Sequence, residues 1–145
     1  GEIPVDVLVV REGDILKIKI ASINFEPNKA EFLEDDPEIA QRNQYVLDRV
    51  AEILKKYRQY QVTIEGHAVI TKWWNEELAE EEQEDDLLPL SRDRAERVKR
   101  ALAERGVPED RLDTKGVGGA KPLVPHKDEE NRWKNRRVEF ILEKE

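Results

Sequence analysis

The sequence predicts an α/β (α+β) fold, a two-layer sandwich in which a mixed β-sheet carries helices on one face. Three observations predict it. Short stretches at 15–20, 61–66 and 137–142 alternate apolar and polar residues with the period of a strand. Longer stretches at 38–57 and 90–106 repeat apolar residues with the period of a helix. The resulting order, β-β-α-β-α-β-(α)-β, needs crossover connections, so part of the sheet must be parallel. A chain of 145 residues suits one domain, 1–145, and can bury a core without staples.

Each element has its own signal. "VDVLVV" at 5–10 and "ILKIKI" at 15–20 flank Arg11-Glu12-Gly13-Asp14, which predicts a hairpin turning at Gly13-Asp14. Leu16, Ile18 and Ile20 share a face; the next apolar pair, Ile23 and Phe25, is out of phase, so a bulge or break is expected near Ser22. "FEPNKAEF" at 25–32 reads as a loop. Pro37 precedes the first helix, whose stripe is Val46, Val50, Ile53, Leu54 and Tyr57. "QVTIEG" at 61–66 is a half-buried strand. The second helix is expected to start with Ser91 as N-cap, flanked by Leu90 and Ala95 as a hydrophobic staple, and to stop at Gly106. "RLDTKGVGG" at 111–119 reads as a short strand and a glycine turn. Residues 128–135 suit a helical turn, and Val138, Phe140 and Leu142 mark one face of a last strand.

Charge is abundant at 40% of residues, and the net charge is −8. The segment 75–86 alone holds eight acids and no base, so the rest of the chain is neutral overall. No net basic field exists to drive nucleic-acid binding. The acid run reads as a solvated loop or helix face. It lacks the Asp-x-Asp-x-Asp-Gly spacing of a calcium loop. With no cysteine, disulfides and thiolate metal sites are excluded. Gly1 is not an initiator, so the chain reads as a trimmed or mature piece. It contains no run that reads as a signal peptide or membrane span.

No enzymatic constellation is visible. His67 and His126 are the only histidines and sit in no metal-ligand spacing, so no metal or cofactor is expected. His67, at a strand end, reads as a hydrogen-bonded structural group. "GVGGAKP" at 116–122 lacks the Gly-Lys-Ser/Thr end of a phosphate loop and reads as a tight turn. Ser22 and Ser91 have no nucleophile frame. The arginines are more informative: Arg94 near the start of the second helix, and Arg136 and Arg137 at the entrance of the last strand. Neighbouring strand residues point to opposite faces, so at most one of that pair is expected to share a pocket with Arg94. Guanidinium groups suit bidentate capture of a carboxylate.

Taken in order, "INFEPNKAEF", the long helix, "VTIEGH", "LSRDRAERVKRAL", "GVGGAKP" and "NRRVEFIL" resemble the OmpA-like domain, the peptidoglycan-associating module of outer-membrane and flagellar-stator (OmpA/MotB C-terminal) proteins. The most specific parts are "LSxxRAxxVxxxL" at 90–102 and "NRRVEF" at 135–140. The charged first helix resembles spirochaete versions. The resemblance divides the chain into an N-terminal hairpin extension, 1–20, and an OmpA-like domain, 21–145, with an acidic insertion at 70–87. It implies a periplasmic setting tethered to or associated with the outer membrane. It also implies non-covalent binding of a peptidoglycan stem peptide, with an aspartate and an arginine gripping the two ends of a diamino acid. The family arginine falls on Arg94 and a loop asparagine on Asn28. Arg136 and Arg137 match the arginines near the site, and backbone amides around Gly66, His67 and Ala68 would complete the pocket.

Two positions depart from the family. Val69 stands where the family aspartate belongs, preceded by Ala68, and Leu87 stands where a supporting asparagine belongs. Loss of a charge-assisted bond costs about 1.5–3 kcal/mol. Asp85, Asp86 or another acid of the insertion would have to replace it; otherwise the apolar run packs into the pocket and closes it. Two functions follow. One is a non-catalytic anchor that holds an envelope protein to the cell wall. The other is a degenerate module that no longer binds peptidoglycan and serves a structural or protein-interaction role, with Trp73 and Trp74 as the contact residues for an envelope protein.

Overall fold

The structure is a computed structural model and describes residues 7–20, 23–26 and 28–144. Five strands form one open sheet: β1 (Val7–Glu12), β2 (Ile15–Ile20), β3 (Tyr60–Gly66), β4 (Leu112–Gly116) and β5 (Val138–Lys144). Their order is β1-β2-β5-β3-β4. Among the described strands only β3 and β4 pair in parallel, and the connection between them passes through a helical run, as a parallel pair requires. The hairpin β1–β2 turns at Gly13, φ 65°, and joins the sheet by pairing β2 with β5. The break expected near Ser22 lies outside the described residues.

Helix α1 (Pro37–Lys56) begins at Pro37 itself, one residue before the expected start. Asp36 caps it, its carboxylate accepting from the amides of Glu38 at 3.0 Å and Ile39 at 3.5 Å. At the other end Arg111 donates to the carbonyls of Leu54, Tyr57 and Tyr60, satisfying groups that the helix end leaves open. Leu16 and Ile18 of β2, Val62 and Ile64 of β3, and Val138, Phe140 and Leu142 of β5 form one apolar sheet face. They join Val46, Leu47, Val50 and Leu54 of α1 and Ala95, Val98 and Leu102 of α3 (Leu88–Glu104) in one core.

The segment 76–104 differs from the expectation of an acidic stretch followed by a new helix. It is a helical run: α2 (Glu76–Glu82), a π-turn (Gln83–Leu87) and then α3. Ser91 is therefore not an N-cap. It lies inside α3, donating from Oγ to the Leu88 carbonyl at 3.2 Å and accepting from the Gly118 amide at 3.0 Å. The cap is at Asn75, whose side chain accepts from the Leu78 amide. Helix α3 ends as expected at Gly106, φ 93°. The turn read at 128–135 is a short 3-10 helix, Arg132–Asn135.

β3 and α3 approach closely enough that Gly66 is required: a Cβ there would collide with the Ser91 carbonyl. This contact brings the end of β3, the first turns of α3 and the start of β5 to one edge of the core, where the candidate site lies. Among the described residues, no helix is long and apolar enough to cross a membrane.

Candidate functional site

A cavity of about 550 Å³ opens at this edge. Its wall is made by Ile23–Phe25 and Asn28 ahead of α1, Gly66–Val69 and Thr71 after β3, Glu82 and Leu87 of the helical run, Leu90 and Arg94 of α3, and Trp133 and Arg136–Val138. Asn28, Gly66, His67, Ala68, Arg94, Arg136 and Arg137 all line it. Asp85 and Asp86 do not; they are exposed on the π-turn.

Arg94 is held by the loop it faces. Its Nε donates to the Lys29 carbonyl at 3.1 Å and a terminal nitrogen to the Glu26 carbonyl at 3.3 Å. The guanidinium lies 5.1 Å from the Phe25 ring centroid. Phe25 stacks on Phe32, and Asn28 takes the left-handed conformation, φ 58°, that turns the loop back. Burial, followed by the charge of neighbouring Arg136, pulls the Arg94 pKa down. Among the described residues no carboxylate lies within ion-pair distance of Arg94 or Arg136.

Arg137 is employed differently. It pairs with Glu139 at 2.8 Å and donates to the Lys121 carbonyl at 3.0 Å. Glu139 and Glu65 face each other directly across β5 and β3, and both are buried on the sheet face away from the main core. Two carboxylates so placed repel each other. His67, two residues after Glu65, projects from the same face. Its Nε2 lies 2.9 Å from Glu65 Oε1 and 3.1 Å from Glu139 Oε2, a charge contact in which neither ring nitrogen makes a hydrogen bond of ordinary geometry. Lys121 lies 3.4 Å from Glu65 on the outside. The His67 contact is the main cause that lowers the pKa of Glu65, and it and Arg137 lower that of Glu139 to about 2. Ligand atoms of the triad lie within 4.8 Å of one another, close enough for a metal ion, but Lys121 and Arg137 already neutralise the two acids.

Two of the amides expected to complete the pocket, those of His67 and Ala68, are already used. His67 N–H donates to the Arg137 carbonyl at 2.9 Å and Ala68 N–H to the Gly118 carbonyl at 2.7 Å. These bonds fix the strand end to β5 and to the glycine turn, so the amides are not free for a ligand. Ala68 and Val69 are buried in the cavity wall without filling it.

Of the acids at 75–86, Glu82, which the sequence does not single out, is the one that lines the cavity among the described residues. Glu82, 8% exposed, accepts from Thr71 N–H at 2.9 Å, Thr71 Oγ1–H at 2.5 Å and Lys72 N–H at 3.0 Å. The next residue, Gln83, donates to the Val117 carbonyl and accepts from the Gly119 amide, each at 2.8 Å. The insertion is thus pinned between the 70–72 segment and the glycine turn. Nothing in a run of eight acids marks which one is buried.

The protein-family model for the "OmpA family" matches residues 31–136. The chain belongs to the OmpA family. The peptidoglycan-binding protein ArfA of Mycobacterium bovis is 36% identical over 97 residues, covering 67% of this chain and 27% of that protein. The peptidoglycan-associated lipoprotein of Brucella melitensis is 36% identical over 100 residues, 68% of this chain and 53% of its own length. The chain therefore spans between about a quarter and a half of these two relatives. Among solved structures, a MotB-like protein of Desulfovibrio vulgaris superposes with a TM-score of 0.74 at 25% identity, covering 96% of this chain and 82% of that one. The resemblance read from the sequence and the fold class it implied both stand.

Proposed function

We propose that this OmpA-family chain is a non-catalytic peptidoglycan-binding module that holds a cell-envelope protein to the wall from the periplasmic side. In this reading Arg94, assisted by Arg136, captures a carboxylate of a stem-peptide diamino acid inside the cavity. The observation that carries it is the pair of neighbouring guanidinium groups, without an acid partner among the described residues, on the wall of an open cavity. An entering carboxylate relieves the repulsion between them and gains forked hydrogen bonds. Arg137 supports the site indirectly, through Glu139 and the Lys121 carbonyl. Asn28 supports it through the loop conformation. The names of the relatives favour the same ligand class.

The contrary reading, a degenerate module, needs the apolar run after His67 to close the pocket. The cavity beside Ala68 and Val69 favours binding instead. Sedimentation with purified sacculi tests the proposal. The chain is expected to pellet with them, and Arg94→Ala to stay in the supernatant while keeping its fold. Failure of the unaltered chain to pellet sinks the anchor reading.

A further inference from the structure

We propose that Glu82 is the anionic half of this site, receiving the ammonium group of the ligand whose carboxylate Arg94 and Arg136 hold, so that the cavity selects a zwitterionic amino-acid end. The inference rests on the peptidoglycan reading above and names a residue for the grip that Val69 cannot supply.

Four observations carry it. First, Glu82 is the one acid among the described residues that line the cavity. Second, its charge has no counter-ion. Its three donors are Thr71 N–H, Thr71 Oγ1–H and Lys72 N–H, all neutral groups, and no lysine, arginine or histidine among the described residues lies within ion-pair distance. A buried carboxylate is costly without a cation. Third, its position is fixed and one acceptor site remains. Oε1 takes two of the bonds and Oε2 takes one, while a carboxylate has about four lone-pair sites. Gln83, bonded to Val117 and Gly119, anchors the other side of the same turn. Fourth, a π-turn begins at the next residue. Such turns shift helical phase and occur frequently at functional sites.

Among the described residues the cavity therefore carries charge of both signs without an ion-pair partner: Glu82 on one side, Arg94 and Arg136 elsewhere on its wall. A ligand with one carboxylate and one ammonium balances both. Val69, Leu87 and Leu90 supply apolar wall for the methylene chain of such a ligand. The carboxylate that the relatives' pattern places directly after β3 arrives here from the insertion.

The test is calorimetry with two probes: the tripeptide L-Ala-γ-D-Glu-diaminopimelate with its free amine, and the same tripeptide N-acetylated there. The unaltered chain is expected to bind the free amine about 10- to 100-fold more tightly, the value of a charge-assisted bond. Glu82→Gln is expected to bind both probes equally, at the weaker level. Thr71→Val, which removes a donor to Glu82 but keeps its charge, is expected to retain the preference. If Glu82→Gln does not fold, the side-chain carboxyl carbon resonance of Glu82 in the unaltered chain replaces it: it is expected to shift with the free-amine probe and stay still with the acetylated one. Retained preference in Glu82→Gln, equal loss in Thr71→Val, or a resonance that does not move overturns the proposal. If sacculi pellet the chain through Arg94 but it does not distinguish the probes, Glu82 is refuted and the anchor reading stands. If neither probe nor sacculus binds, both fall together.

Discussion

Replacing Glu139 by glutamine tests the buried charge network most sharply. Glutamine keeps the size of the side chain and an oxygen towards His67, but it carries no charge at any pH. In the folded chain, His67 and Arg137 lower the Glu139 pKa from 4.5 to about 2. At about 1.36 kcal/mol per unit, this corresponds to about 3 kcal/mol of stability shared among the groups that hold the carboxylate. Breaking a buried ion pair by removing one partner costs a similar amount, about 3–5 kcal/mol. Between pH 4.5 and 2 the unfolded chain binds more protons than the folded one. The contribution is therefore complete above pH 4.5 and is lost as pH falls towards 2. Urea unfolding of the unaltered chain and Glu139→Gln across this range is the assay. Near pH 7 the variant should be less stable by about 3 kcal/mol, and the gap should close as pH falls through the window. Equal stability near pH 7, or a gap that does not change down to pH 2.5, refutes the assignment of His67 and Arg137 as the partners of this carboxylate.

Other perturbations separate fold from site. Gly66→Ala drives a Cβ into the Ser91 carbonyl, so β3 and α3 must separate at the cavity's edge. A loss of about 1–3 kcal/mol is expected in thermal or urea unfolding, together with weaker sacculus binding. Trp73 and Trp74 are 42% and 63% exposed and do not line the cavity. The double variant Trp73→Ala/Trp74→Ala is therefore expected to pellet with sacculi like the unaltered chain; lost pelleting would move the ligand surface onto the insertion. Leu54→Ala, in the core away from the site, should cost about 2–5 kcal/mol of stability. Under conditions where the variant stays folded, its affinity for the wall should be unchanged.

The sequence made the framework legible because period and punctuation agreed there. Alternation in 15–20 and 137–142 put Ile18 and Phe140 on the buried face, and Gly106 stopped α3 where a positive φ was needed. Ser91 misled because a cap residue in front of a periodic stretch looks the same whether the helix starts there or continues through it. Only the insertion's own cap, Asn75, and the π-turn made the run continuous. The sequence reads His67 as a hydrogen-bonded structural group; its backbone N–H is bonded, but its buried ring meets the two carboxylates without a hydrogen bond of ordinary geometry. Its setting was hidden, because Glu65 and Glu139 occupy the polar phase of their strands and their burial arises from segments far away in the chain, around Lys121 and Arg137. The family pattern singles out Arg94, which lines the cavity. The sequence does not tell which acid of the 75–86 run is buried, because that depends on helical phase within a uniform acidic stretch that a π-turn then interrupts.

The cavity beside Arg94 is the proposed binding site for the cell wall. Amide chemical-shift mapping with the diaminopimelate tripeptide tests it directly on the unaltered chain. The largest changes should fall on Ile23–Phe25, Gly66–Val69, Arg94 and Arg136–Val138, which surround the cavity. Changes confined to Trp73–Glu81, or none at saturating tripeptide, would contradict it.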